Sequence, residues 1–143
     1  MAATPTTLIY IDIIQLHSYG IPFPPPDGVM DSLLKAKEVG KTRFIGYSQE
    51  NEAAMQAVSS KIFDTLQTSF SLVDQKARYE LFSLCKSLNI GIIGKRPIAN
   101  AIWEMTNSDE ETSSLSGNNK ERFDRAQQLL KSGPLQGAPD DPI

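Results

Sequence analysis

The chain has 143 residues, of which 40% are hydrophobic and 22% charged, a balance typical of one globular domain with a real core. A net charge of −3 without a basic stripe argues against nucleic acid or an anionic membrane surface as a partner. The sequence has one cysteine, Cys85, so an internal disulfide is excluded. With only one histidine, His17, beside it, the chain offers few ligands for a metal ion, and no metal site is predicted. A free thiol suits a reducing compartment, which predicts a cytoplasmic protein.

The N-terminal half alternates short β-branched segments with longer segments of helical spacing. Residues 1–7 are predicted to be a polar lead-in, and residues 8–17 form the first predicted strand. A loop rich in Pro and Gly follows, and Asp27 is the predicted N-cap of the first helix because its carboxylate can accept an orphan backbone N–H. Gly40 is predicted to end that helix, since glycine adopts positive φ freely, and residues 42–48 form the second strand.

The same alternation continues in the C-terminal half. Asn51 is predicted to cap a second helix, and residues 63–70 to form the third strand. Asp74 is predicted to cap a third helix that ends at Asn89. Residues 90–96 form the fourth predicted strand.

Polar composition predicts a mobile loop over residues 106–119 and an irregular tail over 133–143. Between them the spacing predicts a last helix with Phe123, Ala126 and Leu130 on one face.

Four strand–helix units predict an α/β fold with a parallel sheet, because parallel strands need crossover connections and are buried on both faces. Right-handed crossovers place all the helices on one face of the sheet, which then curls toward a barrel. Periodicity alone leaves a doubly wound layer as the alternative. The predicted fold is therefore a partial (β/α) barrel, half of a TIM-type barrel, in a single domain over residues 1–143.

The ends of the four strands carry more specific motifs. They read YIDIIQLH at 10–17, TRFIGYS at 42–48, Leu66-Gln67, and IIGKRPI at 92–98. In their order and spacing these motifs resemble the fourth to seventh strands of the aldo-keto reductases. The chain thus resembles the C-terminal half of that family over residues 8–142.

The resemblance implies roles for residues at the strand ends. His17 matches the family's active-site histidine, which helps to orient the substrate carbonyl. Ser48 and Gln67 match the serine and glutamine that hydrogen-bond the nicotinamide carboxamide. His17 is thus the candidate catalytic residue, and NADPH is the cofactor that the resemblance implies.

Three further candidates for cofactor binding depart from the family's pattern. Gln49 stands where the family usually has asparagine after the serine, which keeps the amide but adds a methylene. Lys95 stands where an aromatic often stacks on the nicotinamide ring, and Arg96 follows it.

Each candidate also has an ordinary structural interpretation. A lone histidine such as His17 is more often structural than catalytic. Ser48 and Gln67 are equally well explained as polar caps that satisfy backbone groups at strand ends. Lys95 and Arg96 would more commonly pair with a neighbouring carboxylate than with a phosphate or carboxylate ligand.

In the family, the proton-donor tyrosine and its lysine and aspartate partners belong to the second and third strands, whereas this sequence begins at the fourth. The resemblance therefore implies a half barrel related to NADPH-dependent carbonyl oxidoreductases and catalytically incomplete on its own. Two alternatives stay open. One is an oxidoreductase completed by oligomerisation, and the other is a non-enzymatic assembly or small-ligand-binding scaffold.

Four strands would also leave two open sheet edges and an uncovered apolar surface, which is rare on a stable monomer. A homo-oligomer, most simply a two-fold dimer, is therefore predicted, with a small carbonyl compound as the possible ligand. The inward side chains expected to be uncovered are Ile11, Ile13, Phe44, Ile45 and Ile92.

Overall fold

A computed structural model describes residues 10–21, 23–25, 28–103, 115 and 117–132. The predicted lead-in, the predicted tail, the Asp27 cap and most of the loop predicted at 106–119 lie outside these residues. The chain forms two compact units: Met1–Ser69 with Lys76–Lys95, and Phe70–Gln75 with Arg96–Ile143. The interpretation of residues 1–143 as a single domain stays a prediction.

The first unit is built on a four-stranded sheet with the order β1-β2-β3-β4, and every neighbouring pair is parallel. The strands are β1 Ile11–His17, β2 Thr42–Ser48, β3 Thr65–Ser69 and β4 Gly91–Lys95. Sequence order and spatial order are the same, as in a barrel wall built from successive βα units. The predicted partial (β/α) barrel is confirmed, and the doubly wound alternative is excluded.

Helices connect the strands of the first unit, and one further helix belongs to the second unit. The helices are α1 Val29–Glu38, α2 Asn51–Ser59, α3 Lys76–Tyr79, α4 Leu81–Ser87 and α5 Gly117–Lys131, with a 3₁₀ turn at Ala99–Ala101. Residues 117–119, predicted as loop, therefore begin α5. None of the helices in the described part of the chain is long and apolar enough to cross a membrane.

Two predicted helix ends are confirmed. Gly40 and Asn89 have φ values of 73° and 56°, the left-handed conformation expected just after a helix. At α1 the N–H groups of Gly40 and Lys41 donate to the carbonyls of Lys37 and Ala36, so the last turn is closed by a Schellman arrangement.

Two predicted helix starts are wrong. Asn51 is already the first residue of α2, Glu50 precedes it, and no side chain caps that helix. Asp74 does not cap the third helix, which begins at Lys76. The Asp74 carboxylate instead accepts a hydrogen bond from Nε of Arg122 at 2.7 Å, because a buried guanidinium requires an anionic partner.

The helix-covered face of the sheet holds the main core. Ile45 and Tyr47 of β2 and Leu66 of β3 are fully buried there, under small and apolar residues of α2 and α4. The expectation that Ile45 points inward and stays uncovered is therefore wrong. Ile92 is in register with Leu66, so it too lies on the helix side, although it is 39% exposed at the edge strand.

The opposite face of the sheet, here called the inner face, carries exposed apolar side chains on β1 and β2. Successive strand side chains point to opposite faces, so Ile11, Ile13 and Phe44 lie there together. They are 36%, 38% and 41% exposed, as the prediction for these three residues requires. A parallel strand is normally covered on both faces, so the patch of Ile11, Ile13 and Phe44 is the part of the inner face that is exposed, whereas Ser48 and Ser69 on the same face are buried.

The second unit has a small core of its own, formed by Val73, Ala99, Ile102, Phe123 and Ala126. Phe123 and Ala126 are buried as predicted, but Leu130 is 55% exposed and Leu129 packs partly against the cluster in its place. The predicted face of this helix is thus displaced by one residue at its C-terminal end.

Asp64 joins three elements at the amino ends of the strands. Its carboxylate accepts hydrogen bonds from Nζ of Lys37, at 2.7 and 2.6 Å, and from the Ile45 N–H at 2.9 Å. Its own N–H donates to the Ile45 carbonyl at 2.8 Å, and its carbonyl accepts from the Gly91 N–H at 2.9 Å. One residue therefore fixes α1, β2 and β4 around the start of β3.

Asp64→Ala is expected to destabilise the protein by about 2 kcal/mol, because it leaves the Ile45 N–H and the Lys37 ammonium without their acceptor. Asp12→Ala is the matched control, since among the described residues the Asp12 carboxylate pairs with Arg43 at the surface and such pairs contribute less than about 1 kcal/mol. Urea unfolding monitored by circular dichroism measures both variants. Equal losses of stability in the two would contradict the role given to Asp64.

Candidate functional site

The carboxyl ends of the four strands form one edge of the sheet, here called the rim. His17 is in register with Ser48, and Ser48 with Gln67. Lys95 is in register with Ser69, two residues further along β3. Successive side chains of a strand point to opposite faces of the sheet. The register therefore places five side chains on the inner face: His17, Ser48, Gln67, Ser69 and Lys95. The parallel order of the strands therefore brings the candidate residues of β1 to β4 to the same rim.

Ser48 is the most buried residue of the rim. It is 1% exposed, and its Oγ has no hydrogen-bond partner among the described residues. Leaving a buried hydroxyl unpaired costs on the order of 1–3 kcal/mol, so such groups call for an explanation. The arrangement differs from that of a polar cap, which would donate to a backbone carbonyl.

Gln49 is committed to the loop that follows β1. Its Nε2 donates to the Tyr19 carbonyl at 3.3 Å, and its Oε1 accepts from the Glu50 N–H at 3.1 Å. Its backbone N–H donates to the Gln67 carbonyl at 3.1 Å, which continues the β2–β3 ladder beyond Ser48. These bonds give Gln49 a structural role at the rim, and its cofactor role stays a prediction.

Lys95 lies beside a carboxylate that the sequence analysis did not single out. Its Nζ is 3.5 Å from Oε1 of Glu50, and both side chains are only 17% exposed. The same Oε1 accepts a hydrogen bond from the hydroxyl of Ser69, which is buried. Lys95 therefore has the neighbouring carboxylate that the structural interpretation expected. Glu50 could have been found from its position, two residues beyond Ser48 at the end of a predicted strand.

Arg96, the neighbour of Lys95 in the sequence, is assigned to the second unit. It opens the second segment of the other unit, has a φ of 58°, and its carbonyl accepts a hydrogen bond from the Ala99 N–H at 2.8 Å. The adjacent basic residues Lys95 and Arg96 thus belong to different units, and the cofactor role of Arg96 stays a prediction.

The four tyrosines all fall within the described residues, and none occupies the inner face at the rim. Tyr47 lies on the helix-covered face, where its hydroxyl donates to the Tyr19 carbonyl and its ring lies 5.1 Å from that of Phe63. Burial and, to a lesser extent, the neighbouring Tyr19 raise the pKa of Tyr47. Tyr19 packs against the same core, Tyr10 precedes β1 at the opposite end of the sheet, and Tyr79 is exposed on α3.

Below the rim, the side chains of Gln15 and Thr65 lie over Gly46 on the inner face. Gln15 and Thr65 flank Gly46 in the sheet register. A Cβ on Gly46 would collide with Oγ1 of Thr65 and lie 3.0 Å from Cγ of Gln15. Glycine is thus required at this position, because the two side chains fold across it and separate the rim from the apolar residues further down.

Comparison with known proteins agrees with the partial (β/α) barrel described above. The model of the aldo/keto reductase family matches residues 6–134, so the chain belongs to that family. An aldo-keto reductase of Bacillus halodurans, in its apo form, matches with a TM-score of 0.66 and 22% identity over 90% of this chain and 44% of its own.

Two structures from Klebsiella pneumoniae are also similar. An aldo/keto reductase in complex with NADP and acetate matches with a TM-score of 0.54 and 22% identity, covering 85% of this chain and 44% of its own. An aldo-keto reductase in complex with NADPH matches with a TM-score of 0.55 and 17% identity, covering 85% and 54%. The chain thus spans about half the length of the solved relatives it matches.

The stability contributed by Tyr47 is expected to depend on pH. Its pKa is higher in the folded than in the unfolded chain, so its contribution is fully present below the unfolded value of about 10 and is lost as pH rises through the folded value. Tyr47→Phe removes this dependence, so the stability difference between the wild type and this variant should shrink from pH 8 to pH 11.

Urea unfolding at the two pH values measures that difference. Tyr79→Phe is the control, because the Tyr79 side chain is 75% exposed and the variant reports the loss of a tyrosine hydroxyl outside the core. A Tyr47→Phe difference that is constant across the range would contradict the effect of burial on the Tyr47 hydroxyl.

Proposed function

We propose that the rim is the nicotinamide end of an NADPH site, in an aldo-keto reductase half barrel that is catalytically incomplete on its own. The observation that carries the proposal is the buried Oγ of Ser48, which has no partner among the described residues and lies in register with Gln67. A hydroxyl and a side-chain amide offer both donors and acceptors, as the carboxamide of nicotinamide requires.

Different residues of the rim would bind the cofactor and the substrate. Ser48 and Gln67 would hold the carboxamide, and His17, exposed beside Ser48, would orient a substrate carbonyl through an imidazole N–H. When bound, a nicotinamide cofactor supplies hydride chemistry. The complexes of the two Klebsiella pneumoniae relatives with NADP and NADPH support this assignment at the level of the family.

Catalytic incompleteness is supported by the lack of a suitable proton donor at the rim among the described residues. Reduction of a carbonyl needs a positioned acid for the developing alkoxide, and losing such a group costs about 10²- to 10⁴-fold in rate. None of the four tyrosines lies on the inner face at the rim, and the ammonium of Lys95 is held by Glu50. The buried free thiol of Cys85 is consistent with the cytoplasmic location that completes this proposal.

NADPH binding tests the proposal directly. Ser48→Ala and Gln67→Ala should each weaken the affinity about tenfold, because each removes one hydrogen bond worth about 1.4 kcal/mol to the carboxamide. Ser83→Ala, on the exposed side of α4, is the matched control and should bind as the wild type does. Fluorescence titration of NADPH measures all four proteins.

A panel of small aldehydes then tests incompleteness. Oxidation of NADPH should stay at the background rate for every aldehyde. Robust turnover that His17→Ala abolishes would show a complete active site and contradict this part of the proposal. No NADPH binding at all would instead favour the non-enzymatic scaffold.

A further inference from the structure

A carboxylate and an ammonium lie side by side on the inner face, just beyond the residues proposed to bind the nicotinamide. Oε1 of Glu50 is 3.5 Å from Nζ of Lys95, and each of the two side chains is only 17% exposed. The hydroxyl of Ser69, which is 4% exposed, donates a hydrogen bond to the same Oε1. Charges that are partly removed from water are screened much less than surface charges, so they act strongly on a neighbouring ligand.

The register of the strands places this ion pair close to the proposed cofactor residues. Lys95 is in register with Ser69, which lies two residues beyond Gln67 on β3 and on the same face. Two residues of a strand span about 7 Å, so the pair lies about that far from the level of Gln67 and Ser48. At this distance one charge without a counter-charge changes the affinity for a charged ligand group about tenfold.

The two oxidation states of a nicotinamide cofactor differ by one charge on the ring. The ring is cationic in NADP⁺ and neutral in NADPH, whereas the phosphates of the two forms are the same. A free ammonium at the rim would therefore repel the oxidised ring, and a free carboxylate would attract it. Held together, the two side chains place no net charge beside either form of the ring.

We infer that Glu50 determines the specificity of the rim for the oxidation state of the cofactor, because it neutralises Lys95 beside the nicotinamide. The inference rests on the proposed function, in which Ser48 and Gln67 fix the place of the ring. Ser69 acts as a positioning residue, since its hydroxyl holds the carboxylate oxygen that faces Lys95. With the ion pair in place, the rim accepts both NADP⁺ and NADPH.

Binding of the two cofactor forms to the wild-type chain gives the first test. NADPH is titrated by its fluorescence, and NADP⁺ by its displacement of bound NADPH. We expect nearly equal affinities, with a ratio that changes little from low to high salt, because a neutral pair leaves no net charge to be screened. A wild-type preference of about tenfold or more for one form would overturn the inference.

Two single variants leave one charge free and should shift the ratio of affinities in opposite directions. Glu50→Gln leaves the ammonium and should weaken NADP⁺ relative to NADPH about tenfold, whereas Lys95→Met leaves the carboxylate and should do the reverse. The double variant has neither charge and should return to the wild-type ratio. Either single variant decides the question by itself, because each shift has a sign of its own.

Glu52→Gln is the matched control, since it removes the same charge from an exposed position of α2 and should keep the wild-type ratio. Purely structural damage at the rim weakens both forms alike and leaves the ratio unchanged. Unchanged ratios in Glu50→Gln and Lys95→Met would therefore overturn the inference and leave the proposed function standing. A wild-type chain that binds neither form would disprove the proposed function and the inference with it.

Discussion

The arrangement of the rim depends on the hydrogen bonds of Asp64 at the other end of the sheet. This residue contacts α1, β2 and β4 just before β3 begins, so it fixes which residues of the three strands stand side by side. Register determines the face on which each side chain lies, because a slip of one residue turns every side chain of a strand over. Ser48 and Gln67 therefore share the inner face only while the Asp64 contacts hold β2 and β3 in step.

Local features of the fold could be predicted from the sequence, and long-range partners could not. Gly40 and Asn89 were predictable because the positive φ after a helix is a steric demand of the residue itself. The predicted helix cap at Asp74 is wrong because its carboxylate accepts a hydrogen bond from Arg122, 48 residues further along the chain. A capping pattern states only what a side chain can do locally, and a buried guanidinium elsewhere in the chain is a stronger partner.

The same limit applies to the candidate site. The sequence places His17, Ser48, Gln67 and Lys95 at strand ends, and the parallel topology alone brings strand ends to one rim. The contacts of Glu50 in the site could not be predicted, because its partners Lys95 and Ser69 belong to two other strands. Tyr47 stands one residue before Ser48, yet alternation directs it to the opposite face, where it secures the loop at Tyr19.

The unsatisfied polar groups of the first unit indicate which surface is unfinished. Two buried hydroxyls lack partners among its described residues, Oγ of Ser48 and Oγ1 of Thr65, and both belong to the inner face. On the helix side, by contrast, the Tyr47 hydroxyl is hydrogen-bonded. A fold that satisfies one face and leaves hydroxyls and apolar side chains unmatched on the other carries a local cost, and such costs persist where a ligand or a partner offsets them. The inner face is therefore the surface of the first unit on which polar and apolar groups stay unmatched among the described residues.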